Sequence, residues 1–451
     1  MQIFVNYYLN LSYIMRQNYI NKLFTAFLIS IICLTFTNVF ATDKPLANNE
    51  YTLVVEGFDW GPAANKVIIG LDAPSTTIDY KDFTVSVERS HACADVPAAQ
   101  AKGNRSVVYA YVSDNQGKRV KEGSFVTLVL AVAPNMPLGS TFQYSQKPAC
   151  RGNQWVDYKV TITDTKTNKV WNKEKNRIMP LIDDFDLTGK FEYEAGKTMS
   201  YAAFSPKNKT TKSPLIIWLH GGGEGGTDPT IPLLGNKAAN YASAEMQAFF
   251  GGAFVLSPQC PGAWMHNKDG VITHGKEDDV YNKGLMALIK NYVKKNPNID
   301  TKRIYVGGCS NGGYMALKLI LNEPNYFAAV YISALAYQSQ YITDQQINSI
   351  KNVPIWFVHS KDDGTTVPEN TVVPVYKRLK AAGAKNVYFT YYDHVTDLSG
   401  FFGGENYYYN GHWSWIYSHV NHAKVDFDGS PVKLNNRPVT IIEWMAAQSK
   451  K

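Results

Sequence analysis

Arg303-Ile304-Tyr305-Val306-Gly307-Gly308-Cys309-Ser310-Asn311-Gly312-Gly313-Tyr314 changes character half-way along. Its first four residues are β-branched, aromatic or long, the composition of a buried strand. Beyond it, Met315-Ala316-Leu317-Lys318-Leu319-Ile320-Leu321 is made of good helix formers. Ser310 therefore falls at a strand-to-helix turn, with Gly308 and Gly312 in the spacing G-x-S-x-G. A turn this tight strains the serine backbone, and side chains two residues to either side would strike the neighbouring strand and helix. The stretch predicts a nucleophile elbow.

Working outward, short buried-type runs alternate with helical patterns. Leu215 to Leu219, Phe254 to Ser257, Arg303 to Val306, Ala328 to Ile332, Ile355 to His359 and Val387 to Tyr391 read as strands. Leu285, Leu288, Ile289 and Tyr292 share one helical face, and Met315 with Leu319 and the stretch Tyr376 to Ala382 lie in further helices. This alternation predicts an α/β domain, a mainly parallel sheet covered by helices on both sides, over residues 184–451.

Residues 50–163 differ. Short strands separated by Gly61-Pro62, Asn115-Gln116-Gly117 and Pro134-Asn135 end in the alternation of Val156, Tyr158, Val160 and Ile162 with Asp157, Lys159 and Thr161. That is the pattern of an all-β, immunoglobulin-like sandwich, and it carries no catalytic constellation of its own. The Thr, Lys and Asn-rich stretch 164–183 reads as a linker. Cys93 and Cys150 both fall in or beside the sandwich and are the expected disulfide, whereas Cys260 and Cys309 follow core strands and are open to pairing or to burial as thiols.

At the N-terminus, Arg16 and Lys22 precede the apolar run Leu23 to Phe36 and the small-residue pattern Val39-Phe40-Ala41. This order predicts a signal peptide, residues 1–41, cleaved after Ala41, and so a secreted or periplasmic protein. Of the formal net charge of +7, two positive charges would leave with the signal. No basic cluster interleaved with aromatics speaks for nucleic acid, and no apolar run in the mature chain speaks for a membrane. There is no H-E-x-x-H, paired C-x-x-C or dense Asp/His cluster, so neither a metal nor another cofactor is expected. Sequons stand at Asn104 and Asn208.

A serine hydroxyl is a weak nucleophile at neutral pH and needs a base, a group to orient the base, and donors for the developing oxyanion. His220-Gly221-Gly222-Gly223 follows the strand Leu215 to Leu219, so the N–H groups of Gly222 and Gly223, with that of Asn311 after the serine, are candidate oxyanion donors. A phosphate loop would require the lysine of G-x-x-x-x-G-K-[ST], which is missing. His359-Ser360-Lys361-Asp362-Asp363-Gly364-Thr365-Thr366-Val367-Pro368 brings carboxylates to the end of the strand Ile355 to Val358. For the base, the residues alone leave His394, His412, His419 and His422 open.

Trp218-Leu219-His220-Gly221-Gly222-Gly223-Glu224-Gly225-Gly226, Ser257-Pro258-Gln259-Cys260-Pro261, Gly308 to Gly313 and Gly411-His412-Trp413-Ser414-Trp415 together resemble the α/β-hydrolases of the secreted esterase and predicted-peptidase group. These are related to prolyl-oligopeptidase-like and polyhydroxybutyrate-depolymerase-like enzymes, and some carry an immunoglobulin-like module before the catalytic domain. The resemblance implies an α/β-hydrolase fold with Ser310 as nucleophile, His412 as base and an acid after His359. Members usually read Asp-x-x-Val-Pro, whereas one more residue here separates Asp363 from Val367; counting from His359 favours Asp363 and leaves Asp362 open. The expected activity is a serine carboxylesterase on small or medium acyl esters, of small molecules or of a polymer. A serine peptidase is the alternative, and a binding protein with a silent hydrolase fold is a third reading. Residues 51–163 are too few, and lack the period of about 40–50 residues, for the propeller that gates peptide-cleaving relatives.

Overall fold

The computed structural model describes residues 48–207 and 212–450. The expected signal peptide and the Asn208 sequon lie outside them.

Two sheets form the N-terminal domain. The first contains β1 (Glu50–Phe58), β2 (Gly61–Ser75), β5 (Val107–Ser113), β6 (Gly123–Leu130) and β11 (Lys173–Ile178), in the order β11-β1-β2-β6-β5. The second contains β3 (Phe83–Ser90), β4 (Lys102–Arg105), β9 (Asp157–Asp164) and β10 (Val170–Trp171), in the order β10-β9-β3-β4. Leu53, Val67, Val85, Val126, Val160 and Ile162 meet between them. In β9 the buried residues are Tyr158, Val160 and Ile162, the face expected from the alternation. A separate hairpin of β7 (Phe142–Ser145) and β8 (Gly152–Trp155) projects from the sandwich.

The stretch expected as a linker, 164–183, is built into this domain instead. β10 pairs with β9, and β11 runs parallel to β1 at the sheet edge. A strand of sequence Lys-Glu-Lys-Asn-Arg-Ile is polar because both of its faces are largely wet, which hides it from a hydrophobicity reading.

The second domain holds an eight-stranded sheet of β12 (Asp186–Glu194), β13 (Lys197–Phe204), β14 (Ser213–Leu219), β15 (Phe254–Gln259), β16 (Ile299–Cys309), β17 (Ala329–Ser333), β18 (Ile355–Ser360) and β19 (Val387–Tyr392). Their order is β12-β13-β15-β14-β16-β17-β18-β19. All pairings from β15 to β19 are parallel, and the antiparallel pair β12 and β13 extends one edge. Helices Asn282–Lys295, Asn311–Asn322 and Val372–Ala381 are among those that cover it.

Ile304, Tyr305 and Val306 of β16 are at most 1% exposed, so the central strand is buried on both faces. Each such side chain contributes about 1.5–3 kcal/mol by leaving water. The consequence for function is positional: β14, β16, β17 and β18 run side by side in one direction, so the loops leaving the carboxyl ends of β14, β16 and β18 lie on one edge of the sheet. Those loops carry His220 to Gly226, Ser310 and Asp362 to Thr366.

Candidate active site

Ser310 sits between β16 and the helix Asn311–Asn322 with φ 54° and ψ −115°, a conformation few L-residues adopt. Strain of this kind costs about 1–3 kcal/mol and persists only where the surroundings hold it. The Ser310 N–H donates to the Ser333 carbonyl at 3.0 Å, and the Ser310 carbonyl accepts from the Tyr314 N–H at 2.9 Å. The two flanking glycines are obligatory for steric reasons. A Cβ on Gly312 would lie 2.0 Å from the Leu219 carbonyl oxygen, and one on Gly308 would lie 2.4 Å from the Gly312 carbonyl oxygen.

The loop after β14 is fixed by His220. This imidazole is fully buried; its Nε2 accepts from the Cys260 N–H at 2.9 Å, which puts the proton on Nδ1, 2.7 Å from the Gly221 carbonyl oxygen. Burial pushes its pKa down to about 4, so it is neutral, against the upward pull of the Gly221 carbonyl. Held in this way, the loop leaves Gly222 exposed and places it against the serine turn: a Gly222 Cβ would stand 3.9 Å from Asn311 Cβ. Among the described residues, the backbone N–H groups of Gly222, Gly223 and Asn311 donate to no other protein group. They are available to an incoming oxygen.

Asp363 is buried after β18 and accepts five hydrogen bonds. Its Oδ1 takes the N–H groups of Thr365 and Thr366 at 2.8 and 2.9 Å. Its Oδ2 faces His359 Nε2 at 2.8 Å, His412 Nδ1 at 2.9 Å and Thr366 Oγ1 at 2.8 Å. Burial pushes the Asp363 pKa up, but the hydrogen bonds from the two imidazoles outweigh it and hold the carboxyl well below the usual carboxylate range. In the spacer that is one residue longer, Gly364 faces open space while Thr365 and Thr366 reach the carboxylate.

His412 lies in the short helical turn Gly411–Trp413, its N–H capped by Asn410 Oδ1 at 2.9 Å and its ring edge-on to Trp415 at 5.7 Å. With Nδ1 engaged by Asp363, the tautomer that donates there leaves Nε2 as the basic nitrogen.

The remaining candidates separate. Asp362 takes His394, Nδ1 to Oδ2 at 2.8 Å, in an exposed pair stacked on Tyr408. His419 is fully buried, 2.9 Å from the Tyr241 hydroxyl, with its pKa pushed down by burial to about 3. His422 packs on Tyr417 and Tyr392. Cys93 and Cys150 are joined in a disulfide, while Cys260 and Cys309 are buried free thiols.

Three residues of this arrangement carry no motif of their own in the sequence. His359 and Thr366 were visible only as neighbours of the acids, and their shared contact with Asp363 depends on the loop closing back on itself. Asn153 comes from the N-terminal domain: its N–H donates to the Gly223 carbonyl at 2.7 Å, and its Nδ2 to Glu224 Oε1 at 2.8 Å.

Residues 50–176 match the esterase Ig-like N-terminal domain, and residues 202–399 match the phospholipase/carboxylesterase domain. The chain joins an Ig-like domain to an α/β-hydrolase fold. The crystal structure of a thermostable esterase shares this two-domain fold, with a TM-score of 0.69 over 88% of this chain and 99% of that one at 24% identity. In sequence, the α/β-hydrolase chain is 32% identical over 130 residues to feruloyl esterase B of Neurospora crassa. It is 28% identical over 176 residues to the bifunctional acetylxylan esterase/xylanase XynS20E of Neocallimastix patriciarum. These stretches cover 28% and 38% of this chain but only 40% and 22% of the two relatives. Among the described residues no helix of the α/β-hydrolase chain is long and apolar enough to cross a membrane, and no group of His, Cys, Asp and Glu could hold a metal ion.

Proposed function

We propose that the protein is a secreted serine carboxylesterase in which Ser310, His412 and Asp363 act as nucleophile, base and orienting acid. What most supports this reading is Ser310 itself, strained at positive φ between two sterically required glycines and beside the unpaired N–H groups of Gly222 and Asn311.

In the proposed cycle Ser310 Oγ attacks the ester carbonyl carbon as His412 Nε2 takes the hydroxyl proton. The developing imidazolium is stabilised by Asp363, which stays ionised. The carbonyl oxygen gains its negative charge against the N–H groups of Gly222, Gly223 and Asn311. Collapse breaks the ester C–O bond, and the His412 proton goes to the departing alcohol. Water then attacks the acyl-serine, giving its proton to His412, and the carboxylic acid leaves as Ser310 recovers its proton.

An ester is the preferred substrate because an alkoxide needs less protonation to leave than an amine. The panel to run comprises p-nitrophenyl acetate, butyrate and longer esters, feruloyl and acetylxylan esters because two relatives bear those names, and matched peptide anilides. Ser310→Ala should abolish hydrolysis without unfolding the protein, and an organophosphonate should label Ser310 in the wild type. A label mapped to another residue would refute the triad, and peptide cleavage with sluggish ester turnover would make it a peptidase.

A further inference from the structure

The N-terminal domain reaches the reaction site through its β7–β8 hairpin. Phe142 of that hairpin is buried in the α/β-hydrolase core with Leu233 and Leu234, and Trp155 Nε1 donates to Thr230 Oγ1 at 3.1 Å. The disulfide between Cys93 and Cys150 pins the segment before β8 to the sandwich. So anchored, the hairpin lays its backbone on the loop after β14. Gly152, at φ +98°, is the point of closest approach: a Cβ there would lie 2.5 Å from the Gly223 carbonyl oxygen. Asn153 then holds this carbonyl through its N–H and Glu224 through its amide.

Glu224 is buried in the middle of the same loop. Beside Asn153 it is bonded by the Asn236 side chain and the Gly221 N–H, and burial outweighs these to push its carboxyl up to about 7. A group of this kind sits inside a loop for the sake of geometry, since its desolvation costs stability unless its partners are in place. One of those partners belongs to the other domain.

Resting on the esterase reading above, we propose that Asn153 and Glu224 are positioning residues for the oxyanion. The Ig-like domain clamps the loop His220 to Gly226 from outside and so sets where the Gly222 and Gly223 N–H groups point. The Asn153 N–H fixes the Gly223–Glu224 peptide through its carbonyl and the Asn153 amide fixes the Glu224 side chain, so together they anchor the Gly223 Cα from which the preceding, donor-bearing peptides run. Without the clamp that anchor shifts and the preceding peptides turn with it, and donors aimed at the tetrahedral oxygen are lost while those surfaces that hold the ground-state ester remain.

The experiment compares full-length wild type, Asn153→Ala, Glu224→Ala, Glu224→Gln and the double variant Asn153→Ala/Glu224→Ala. Each is assayed for kcat and KM on p-nitrophenyl butyrate and for the inhibition constant of an alkyl trifluoromethyl ketone, whose carbonyl adds the Ser310 hydroxyl to give a hemiketal with its oxyanion in the place of the tetrahedral oxygen. Asn153→Ala should lower kcat and weaken the ketone together, roughly 10- to 100-fold, with KM nearly unchanged. The double variant should be no worse than Glu224→Ala, because Asn153→Ala removes only the amide whose acceptor Glu224→Ala has already taken away, and Glu224→Gln should recover most of the loss by keeping an acceptor for Asn153. Unchanged kcat and ketone affinity in Asn153→Ala, a rise in KM alone, or losses that multiply in the double variant would overturn the proposal. If Glu224→Ala fails to fold, Asn153→Ala and its ketone affinity still decide. Organophosphonate labelling separates the two levels: a wild type not labelled at Ser310 sinks the triad and the clamp together, whereas a labelled wild type with an indifferent Asn153→Ala sinks only the clamp.

Discussion

Two adjacent aspartates each hold a histidine, and the two pairs differ in almost everything but distance. Asp363 and His412 meet at 2.9 Å with side-chain exposures of 0% and 12%; Asp362 and His394 meet at 2.8 Å with 34% and 43%. The first carboxylate takes four further hydrogen bonds and carries a second imidazole, whereas the second lies in reach of water. A solvent-exposed pair is screened, free to exchange partners and worth little. A buried one keeps its histidine in one tautomer and one orientation, which is what a general base requires. Contact alone therefore does not tell the two pairs apart; burial and the number of donors on the carboxylate do.

The largest effect expected is on the histidines. His412→Ala should reduce kcat/KM for a p-nitrophenyl ester by about 10⁶-fold, the scale of losing a triad base. His394→Ala should retain most activity. The reverse result would make the exposed pair the working one and move the base to the other loop.

The acids should follow at somewhat smaller magnitude. Asp363→Asn, which keeps the shape but not the charge, should cost about 10⁴-fold in kcat. It should also alter acid unfolding. A carboxyl held below its ordinary pKa by the fold stabilises the native state above the unfolded value near 4, and that contribution is lost as pH falls further. Melting temperature measured from pH 7 to pH 3 should therefore drop more steeply in wild type than in Asp363→Asn below about pH 4. Parallel curves would mean that Asp363 is not preferentially ionised in the folded protein.

How legible this was follows from the range of the interactions. The elbow is local: Gly308, Ser310 and Gly312 are imposed by the same turn, and every strand expected from β14 to β19 is present because buried strands are written as apolar runs. The choice between Asp362 and Asp363 is not local. It depends on the 410–415 segment returning over β18, some fifty residues after the acids, so the chain order leaves both open. The hairpin clamp is less legible still. Gly152 and Asn153 lie about seventy residues before the loop they touch and carry no motif; their meaning arises from the docking of one domain on the other. Polar β11 escaped for a simpler reason, since an edge strand with two wet faces has no hydrophobic signature.

The smallest effect expected sharpens the same contrast. Asp362 accepts from the Ser360 hydroxyl as well as from His394, and a Cβ on Gly411 would fall 2.3 Å from its Oδ1. Its carboxyl group is thus the surface against which the residue before His412 is packed, and its contribution there is one of shape. Asparagine has the same shape. Asp362→Asn should leave kcat within about threefold of wild type and change unfolding free energy in urea by less than about 1 kcal/mol, the range of an exposed ion pair. Gly411→Ala, which puts a methyl group where that carboxyl lies, should do more damage than removing the charge, because it displaces the turn that carries His412. If Asp362→Asn instead falls as far as Asp363→Asn while Gly411→Ala is harmless, charge rather than packing is what Asp362 supplies, and the division between a working pair and a bystander pair fails.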